Sequence, residues 1–277
     1  MNIITGEKIQ QLCDIYIGSE EDLYFNPIIK NIKNKHLYID KINDNFNNPT
    51  ILFCYSHNIN YLSKIIHFFE NNFILVTHNS DKEIFESSEI LHILNCNKLI
   101  KWFAQNLLYN HPKLHFLPIG IANSMWPHGN LSLFNDIFFI NNLHIKNKKV
   151  YFNFSINTNY SKRNICYEKL INKIEWLPNT DIKENLNRLK LYEFCICPEG
   201  NGCDTHRLWE CLYLKVVPIV IKSDFTNMLL NYCVPLVVID NWDLLDINKL
   251  VYEDYNFSND LFIKILNFTP NYITDLI

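Results

Sequence analysis

The sequence predicts an α/β protein of two Rossmann-like domains that face a cleft, each built on a parallel sheet. Short runs rich in β-branched and aromatic residues alternate along the chain with longer amphipathic runs, a pattern typical of parallel sheets wound with helices. The polar stretch NNLHIKNKK (141–149) interrupts this alternation near the middle of the 277 residues. We therefore expect an N-terminal domain over 1–145 and a C-terminal domain over 146–277, with ligands at the carboxyl ends of the strands.

Each predicted strand has five or six residues, mostly β-branched or aromatic, which suit a buried pleated surface. In chain order the strands are HLYID (36–40), ILFCYS (51–56), FILVT (73–77), LHFLPI (114–119), KVYFNF (149–154), EFCICP (193–198), VPIVI (217–221) and PLVVI (235–239). Apolar residues at helical spacing predict helices over 60–71, 86–94, 160–174, 183–191, 205–215, 224–232 and 258–268. The run KLIKWFAQNLL (98–108) fits either type. The predicted helix at 258–268 follows the last strand, and this position suggests that it packs back on the N-terminal domain.

Composition argues against several function classes. A net charge of -4 without any block of Lys and Arg leaves no electrostatic footprint for nucleic acid. The N-terminal residues lack a signal peptide's basic start and apolar core, and no apolar run approaches the roughly 18 residues of a membrane span. The nine cysteines show no Cys-x-x-Cys spacing. We expect reduced core thiols in a cytoplasmic protein of a bacterial cell or a virus-infected host.

The loop CPEGNGCDTHRLWE is the most informative stretch of the chain. It holds two of only six glycines, Gly200 and Gly202, between a predicted strand and a predicted helix. Asp204 is the predicted N-cap of that helix, which places Arg207 in its first turn. Because a helix N-terminus carries partial positive charge, an arginine there is favourable only beside an anion or an acid. Phosphates bind such ends through free N–H groups, and glycines let the backbone approach closely.

Glu210 follows Arg207 by three residues, and helical side chains lean toward the N-terminus. A carboxylate in that position is suited to accept hydrogen bonds from ribose hydroxyls. The loop therefore predicts a nucleotide diphosphate, with Arg207 on the phosphates and Glu210 on the ribose. In the alternative interpretation the glycines only shape a tight turn, and Arg207 pairs with Glu199 or Asp204. The loop matches neither a Walker sequence nor Gly-x-Gly-x-x-Gly, which argues against a kinase or a dehydrogenase.

The segment from Phe194 to Ser223 resembles the C-terminal signature of exostosin-like glycosyltransferases, especially a bacterial and viral branch with the pattern PEGNG-D-HR-WE-L-G-IP. The residues that carry the resemblance are Pro198, Glu199, Gly200, Asn201, Gly202, Asp204, Thr205, His206, Arg207, Trp209, Glu210, Leu212 and Pro218. Lys215 departs from the pattern, since the family usually has glycine there. Alpha-1,3-fucosyltransferases show a related but looser pattern.

The resemblance implies a GT-B-type enzyme whose C-terminal domain holds a nucleotide-sugar. It places Glu199, Gly200, Asn201, Gly202, Asp204, Thr205 and His206 at the nucleotide together with Arg207 and Glu210. The segment NFSINTNYSKRN (153–164) resembles the motif that starts this domain in the family. It adds Asn153, Ser155 and Arg163, the last as a second positive charge at the diphosphate. The alternative for Arg163 is a solvated surface arginine.

Two polar clusters follow strands of the N-terminal domain. VTHNSD (76–81) places His78, Asn79, Ser80 and Asp81 at a strand end, and His57 follows the neighbouring strand. A general base must lie within hydrogen-bond reach of the acceptor hydroxyl. We expect Asp81, His78 or His57 to be this base, with Asn79 and Ser80 orienting the acceptor. The alternative is that these residues only form turns and caps.

A second loop rich in glycine, LPIGIANSMWPHGN (117–130), follows a predicted strand. Gly120, Asn123, Trp126 and His128 combine a stacking surface with hydrogen-bonding groups of the kind that sugars use, and the loop resembles the family's mid-chain motif. We expect these residues to contact the acceptor or the sugar. The alternative is a long structural loop between domains.

No Asp-x-Asp triplet or other metal-ligand spacing occurs in the sequence, so we expect no metal or other cofactor. Arg207, Arg163 and helix N–H groups would then balance the charge of the departing diphosphate. The resemblance implies a metal-independent, inverting hexosyl- or pentosyltransferase in glycan biosynthesis, acting on a glycan or another hydroxyl acceptor. UDP is the favoured nucleotide and GDP the second. The alternatives are a fucosyltransferase-like enzyme that uses a GDP-sugar and a non-catalytic nucleotide- or carbohydrate-binding protein.

Overall fold

The computed structural model of the protein describes residues 3–18, 49–139 and 146–266. The chain folds into two compact units. The N-terminal unit comprises residues 4–126, and the C-terminal unit comprises residues 127–277 together with residues 1–3. Each unit contains one parallel sheet with helices. The predicted α/β class is therefore confirmed, and both sheets are consistent with a Rossmann-like fold.

In the residues that the structure describes, the sheet of the N-terminal unit has five parallel strands that pair in chain order. They are β1 (Ile15–Ile17), β2 (Thr50–Tyr55), β3 (Phe73–His78), β4 (Leu99–Ala104) and β5 (Leu114–Phe116). The helices of this unit are α1 (Gly6–Leu12), α2 (Ile59–Ile65) and α3 (Ser88–Leu94), with 3-10 turns at Ser56–Asn58 and Ile66–Phe68. All six residues of β3 are buried, which explains why this strand reads as an almost continuous apolar run.

The sheet of the C-terminal unit has four parallel strands, also paired in chain order. They are β6 (Lys148–Tyr151), β7 (Tyr192–Ile196), β8 (Val217–Ile221) and β9 (Val237–Ile239). The helices are α4 (Leu131–Phe139), α5 (Tyr160–Leu170), α6 (Ile182–Leu189), α7 (His206–Tyr213), α8 (Asp224–Asn231) and α9 (Asp260–Leu266). Short 3-10 turns lie at Ile156–Asn159, Trp242–Leu244, Ile247–Lys249 and Tyr252–Asp254.

The sheet of the C-terminal unit is covered on two faces. Phe194 and Ile196 of β7 pack in one apolar cluster with Cys166 and Leu170 of α5. Alternate residues of a strand point to opposite faces, and the intervening Cys195 lies close to Cys211 of α7 on the other side. Helices α5 and α7 therefore sandwich β7, and the loop that joins β7 to α7 emerges at the carboxyl edge of the sheet.

Side-chain caps set the starts of several helices. The hydroxyl of Thr5 accepts a hydrogen bond from Lys8 N at the start of α1, and Asp181 accepts one from Glu184 N at the start of α6. A capping box at Ser223 starts α8. Each such cap stabilises its helix by about 1 kcal/mol.

Most predicted elements lie within a few residues of the observed ones, and the ambiguous run at 98–108 forms strand β4. The predicted strand at 36–40 lies outside the described residues. The predictions omitted α1, β1 and α4, because these elements are short or lack a clear period. The predicted helix at 60–71 ends as α-helix at Ile65 and continues as a 3-10 turn.

The division between the units falls between 126 and 127, whereas the predicted boundary lies between 145 and 146. The difference arises from α4, which precedes the predicted linker and packs against α6 of the C-terminal unit. At the other end, the hydroxyl of Tyr213 donates to the carbonyl of Leu266 in α9 at 3.2 Å. The expected return of the final helix to the N-terminal domain is a contact between units and stays a prediction.

Within the described residues, no helix has both the length and the apolar character needed to cross a membrane.

Lys146, next to β6, is a partly buried cation with a testable effect on stability. Its Nζ donates to the carbonyls of Lys190 and Leu214, both at 2.9 Å, and burial lowers its pKa to about 8. In the unfolded chain the pKa of a lysine is about 10.4, so between pH 8 and 10 the unfolded state binds more protons. Stability from this group must therefore rise with pH across that window.

We expect the free energy of unfolding of the wild type, relative to Lys146→Met, to increase by roughly 1–3 kcal/mol from pH 8 to pH 10. Urea unfolding at several pH values measures this difference. This pH range stays below the pKa of Tyr151 and of Tyr252, since burial raises each of these pKa values to about 12. Parallel pH profiles of the two proteins would contradict the prediction.

Candidate functional site

A cavity of about 410 Å³ opens at the carboxyl edge of the sheet in the C-terminal unit. Its walls come from the segments that follow three neighbouring strands: Pro198 and Glu199 after β7, Lys222 after β8, and Asn241 and Trp242 after β9. Among the described strands the order does not reverse, so no topological switch point marks this place. The carboxyl edge of parallel strands is nevertheless where ligands of such sheets bind.

The walls of the cavity are largely apolar, and its rim is charged. Ile165, Phe225 and Trp242 are among the side chains that line it. Lys162 and Lys222 supply positive charge, the first paired with Glu199 and the second 3.7 Å from Asp240. Both lysine side chains are more than half exposed, so each pair is weak and open to exchange with another anion.

The glycine-containing loop forms one side of this cavity, and residues around the start of α5 hold it in place. Asn159 Nδ2 donates to the carbonyl of Gly200 at 2.7 Å. Arg163 Nε donates to the carbonyl of Glu199 at 2.8 Å. Inside the loop, Gly200 N donates to the carbonyl of Gly202 at 3.2 Å, and Asn201 stays exposed. The motif at 153–164 and the glycine loop thus form one structural assembly.

Arg163 is buried rather than solvated. Besides Glu199, its guanidinium donates to the carbonyl of Ser155 at 2.7 Å and lies 5.7 Å from the ring centre of Phe154. Burial, reinforced by the positive charge of Arg207, lowers the pKa of Arg163. The structure thus connects Arg163 to the predicted nucleotide loop through backbone carbonyls, and Ser155 contributes its carbonyl to this link.

Arg207 pairs with Glu210 on the same helix, with Nε 3.0 Å from Oε2. Its other nitrogens donate to the carbonyl of Asn153 and to Asn185 Oδ1, both at 3.1 Å, and the guanidinium lies 5.6 Å from the ring centre of Tyr151. Burial lowers the pKa of Arg207, but the charge of Glu210 and the neighbouring ionisable groups of Cys195, Cys211 and Tyr151 together raise it above its ordinary value.

The negative charge that satisfies the first-turn arginine is therefore a local carboxylate, although not one of the two considered as alternatives. Glu210 is only 4% exposed. Asn153, whose carbonyl accepts from Arg207, is itself held by Leu177 and Asn179. Neither Arg207 nor Glu210 lines the cavity. Their predicted contacts with phosphate and ribose stay predictions, since in the geometry described these two side chains bond to each other.

The N-cap of α7 corrects one prediction. Thr205, not Asp204, occupies the N-cap position, and the helix begins at His206. Asp204 is buried and accepts a hydrogen bond from Trp209 Nε1 at 2.6 Å, so its carboxylate anchors the loop to the helix. Thr205 lines the cavity. The ring of His206 lies 6.4 Å from that of His128, which brings this residue of the second glycine loop beside α7.

Lys215 departs from the family pattern at a position with unusual backbone geometry. Its φ is 53°, in the left-handed region that favours glycine after a helix. The residue ends the turn after α7, and its carbonyl accepts a hydrogen bond from the hydroxyl of Tyr252 at 2.6 Å. The departure from the pattern therefore concerns the end of α7 and not the lining of the cavity.

The N-terminal unit gathers a second polar cluster at the carboxyl edge of its own sheet. His78, at the end of β3, is fully buried, and its Nε2 lies 2.9 Å from the carbonyl of Pro118. Its Nδ1 lies 3.1 Å from Asn79 Oδ1. The Asn79 amide nitrogen in turn donates to Gln10 Oε1 at 3.2 Å. Contacts with the protein on both ring nitrogens suit His78 to positioning Asn79.

The other two base candidates lie at the surface of this cluster. His57 and Asp81 are exposed, and the His57 ring stacks on Tyr55 with centroids 5.3 Å apart. His57 Nδ1 lies 3.3 Å from Ser80 Oγ. The structure thus joins His57 to the strand end at 76–81, as the sequence suggested for neighbouring strands.

Part of the second glycine loop joins the same cluster. Asn123 Nδ2 donates to Asn79 Oδ1 at 3.2 Å, while its own Oδ1 accepts from Glu7 N at 3.1 Å. Gly120 has a φ of 67° and precedes a bridge to the start of the unit. Trp126 is 51% exposed, a geometry open to stacking.

Sequence reasoning missed several polar residues of this cluster. Glu7 is buried and its Oε1 accepts from both the backbone N and the hydroxyl of Ser124, each at 2.8 Å. Gln105 and Asn106 donate to the carbonyl of Ser80. Glu7 and Gln10 lie on α1, whose seven residues carried no recognisable signal. In contrast, the position of Gln105 directly after β4 could have identified it.

Several residues missed around the cavity could likewise have been identified from their position after a strand. Lys222, Asp240 and Asn241 come directly after strands that the sequence predicts at 217–221 and 235–239. An inspection of every predicted strand end would have found them.

The chain matches no known protein-family model and no curated protein. Its chemistry is therefore inferred from the two polar regions. The C-terminal unit offers an apolar cavity with exchangeable lysines beside a helix N-terminus, and the N-terminal unit offers a hydrogen-bonding cluster with exposed His57 and Asp81.

Proposed function

We propose that the protein is a glycosyltransferase that binds a nucleotide-diphosphate sugar in the cavity of the C-terminal unit. The observation that carries this proposal is the cavity itself. It combines apolar walls for a base, two lysines for phosphates, and the glycine loop with the start of α7. A helix N-terminus after a glycine-containing loop favours phosphate through its free N–H groups. The resemblance of this loop to exostosin-like glycosyltransferases supports the same assignment.

The lysines of the rim are better placed for the diphosphate than the buried arginines. Lys162 and Lys222 line the cavity, and each pairs with a carboxylate that another anion could displace. A diphosphate would replace Glu199 at Lys162, with charge-assisted hydrogen bonds that are stronger than the surface pair. Arg163 then acts by holding the loop through the carbonyl of Glu199. Arg207, whose charge is balanced by Glu210, holds Asn153 and Asn185 in place.

The apolar part of the cavity is suited to the nucleobase. Phe225 and Trp242 are aromatic side chains of its wall, and an aromatic ring can stack on a base. Asp240 and Asn241 stand at the same end and offer acceptors and a donor to hydroxyls or base edges. By analogy with the family, UDP is the favoured nucleotide.

The N-terminal unit would hold the acceptor, in the two-domain GT-B arrangement that the resemblance implies. Its polar cluster supplies hydrogen-bonding groups around Asn79 and Asn123, and His57 or Asp81 would accept the proton of the attacking hydroxyl. Attack on the anomeric carbon displaces the nucleotide diphosphate and inverts that centre. Positive charge at Lys162 and Lys222 stabilises the leaving group without a divalent ion. The reaction is expected to take place in the cytoplasm.

Calorimetric titration with UDP, GDP and ADP tests the donor site. We expect UDP to bind, and we expect Lys162→Ala and Lys222→Ala each to weaken its affinity roughly tenfold or more, because each removes a charge-assisted contact. Lys64→Ala, an exposed lysine on α2 of the other unit, is the matched control and should bind like the wild type. Absence of nucleotide binding would overturn the proposal.

Hydrolysis of UDP-sugars without acceptor separates an enzyme from a binding protein. We expect slow release of UDP that a chelator of divalent ions does not reduce. Binding of UDP without any hydrolysis would favour a non-catalytic nucleotide-binding protein, and binding of GDP but not UDP would favour a fucosyltransferase-like enzyme.

A further inference from the structure

Three buried cysteines come together between β7 and α7. Cys195 and Cys197 are two residues apart, so their side chains point to the same face of the sheet, and Cys211 reaches them from the helix. The three Sγ atoms all lie within 4.8 Å of one another. Those of Cys197 and Cys211 are 3.8 Å apart. The proposed function uses none of these thiols.

This spacing matches the requirements of a single thiolate-bound ion. A metal–thiolate bond of about 2.3 Å places three sulfurs in a plane around one ion at about 4.0 Å from each other. The three side chains are therefore near the required separation before any ion binds. Cys195 lies on β7 and Cys211 on α7. Cys197 directly follows β7, and its backbone N donates to the carbonyl of Ile219 in β8 at 2.9 Å.

The surroundings also suit a buried thiolate site. Cys195 and Cys211 are 0% exposed, and the guanidinium of Arg207 lies near enough to both to offset negative charge on sulfur. Cys197 also lines the 410 Å³ cavity. An ion could therefore reach the cluster through the cavity, and thiol protons could leave by the same route.

We propose that Cys195, Cys197 and Cys211 bind one monovalent copper ion, Cu(I), as a three-coordinate thiolate site. Thiolates select soft ions such as Cu(I) and zinc, but structural zinc takes four ligands. In the part of the chain that the structure describes, this cluster offers three ligand side chains. Each thiol loses its proton when its sulfur binds the ion, and no change in oxidation state is involved.

Titration of the fully reduced protein with Cu(I), under anaerobic conditions and in competition with a chromophoric Cu(I) chelator, tests the site. We expect the wild type to withdraw one ion per chain. X-ray absorption of the loaded protein should show three sulfur atoms around copper. Cys197→Ser and Cys211→Ser are each expected to lower the affinity at least tenfold.

Two single-cysteine variants are matched controls, and both should bind Cu(I) like the wild type. Cys166→Ser removes a buried thiol on the opposite face of β7, and Cys233→Ser removes an exposed one. The proposal would be overturned by failure of the wild type to compete with the chelator, by a copper shell other than three sulfurs, or by tighter binding of zinc. Undiminished binding by Cys197→Ser or Cys211→Ser would also overturn it. If those variants do not fold, the X-ray absorption spectrum of the copper-loaded wild type tests the proposal by the number of sulfur atoms around copper.

Discussion

Replacement of Arg207 by alanine is expected to lower the free energy of unfolding by roughly 3–5 kcal/mol, the usual cost of breaking a buried ion pair from one side. The change leaves Glu210, which is 4% exposed, without its charge partner. It also removes the donors to Asn153 and Asn185. Urea unfolding followed by circular dichroism measures the loss. Arg188→Ala, which breaks the exposed pair with Glu184 on α6, is the control and should cost less than about 1 kcal/mol.

A double variant shows whether charge imbalance causes this loss. Replacing a buried ion pair by apolar residues of similar volume is often neutral or stabilising. Arg207→Met combined with Glu210→Leu should therefore be more stable than Arg207→Ala by about 2 kcal/mol or more. An Arg207→Ala protein of unchanged stability that fails to bind UDP would contradict the structural role and favour direct contact with phosphate.

Gly120→Ala is expected to cost about 2–4 kcal/mol. The φ of 67° places Gly120 in the left-handed region, and a Cβ atom there would lie 2.3 Å from the carbonyl oxygen of Ile4. Strain at such a position costs about 1–3 kcal/mol. The clash also displaces the carbonyl that accepts the hydrogen bond from Ile121 N, which adds about 1 kcal/mol. Thermal and urea unfolding both measure this change.

Gly200→Ala is the matched control for this variant. A Cβ at Gly200 would first meet Nη2 of Arg163 at 3.2 Å, and a side-chain end can shift slightly. We expect a cost below about 1 kcal/mol. If Gly120→Ala is no more destabilising than Gly200→Ala, then neither the positive φ of Gly120 nor its close approach to the carbonyl of Ile4 constrains the second glycine loop.

The strands were predictable because buried parallel strands read as apolar runs of limited length. The run at 73–77 predicted β3 in this way. Short elements were not predicted, because they carry too few apolar residues to show a period. Helix α1 has seven residues, and Glu7 and Gln10 acquire their partners only through contacts with segments more than forty residues away. Such pairing follows from the packing of the unit and not from local spacing.

The glycine loop shows where sequence reasoning about a site has its limit. Spacing correctly placed Arg207 in the first turn of α7 and Glu210 one turn later. It did not reveal that the two side chains bond to each other, because rotamers and neighbouring carbonyls decide that. Lys222 directly follows β8 and could have been found at that strand end. The approach of Lys162 to the same cavity depends on how α5 packs on the sheet, which local spacing does not reveal.

The hydrogen bonds that hold the glycine loop reduce the entropy cost of binding a ligand. The carbonyls of Glu199 and Gly200 are already held by Arg163 and Asn159, so the conformational entropy of this segment is lost when the protein folds. A ligand that enters the cavity does not have to order the loop again, and preorganisation of this kind increases affinity without adding any contact. The backbone of the loop should therefore move by less than about 1 Å between free and bound states.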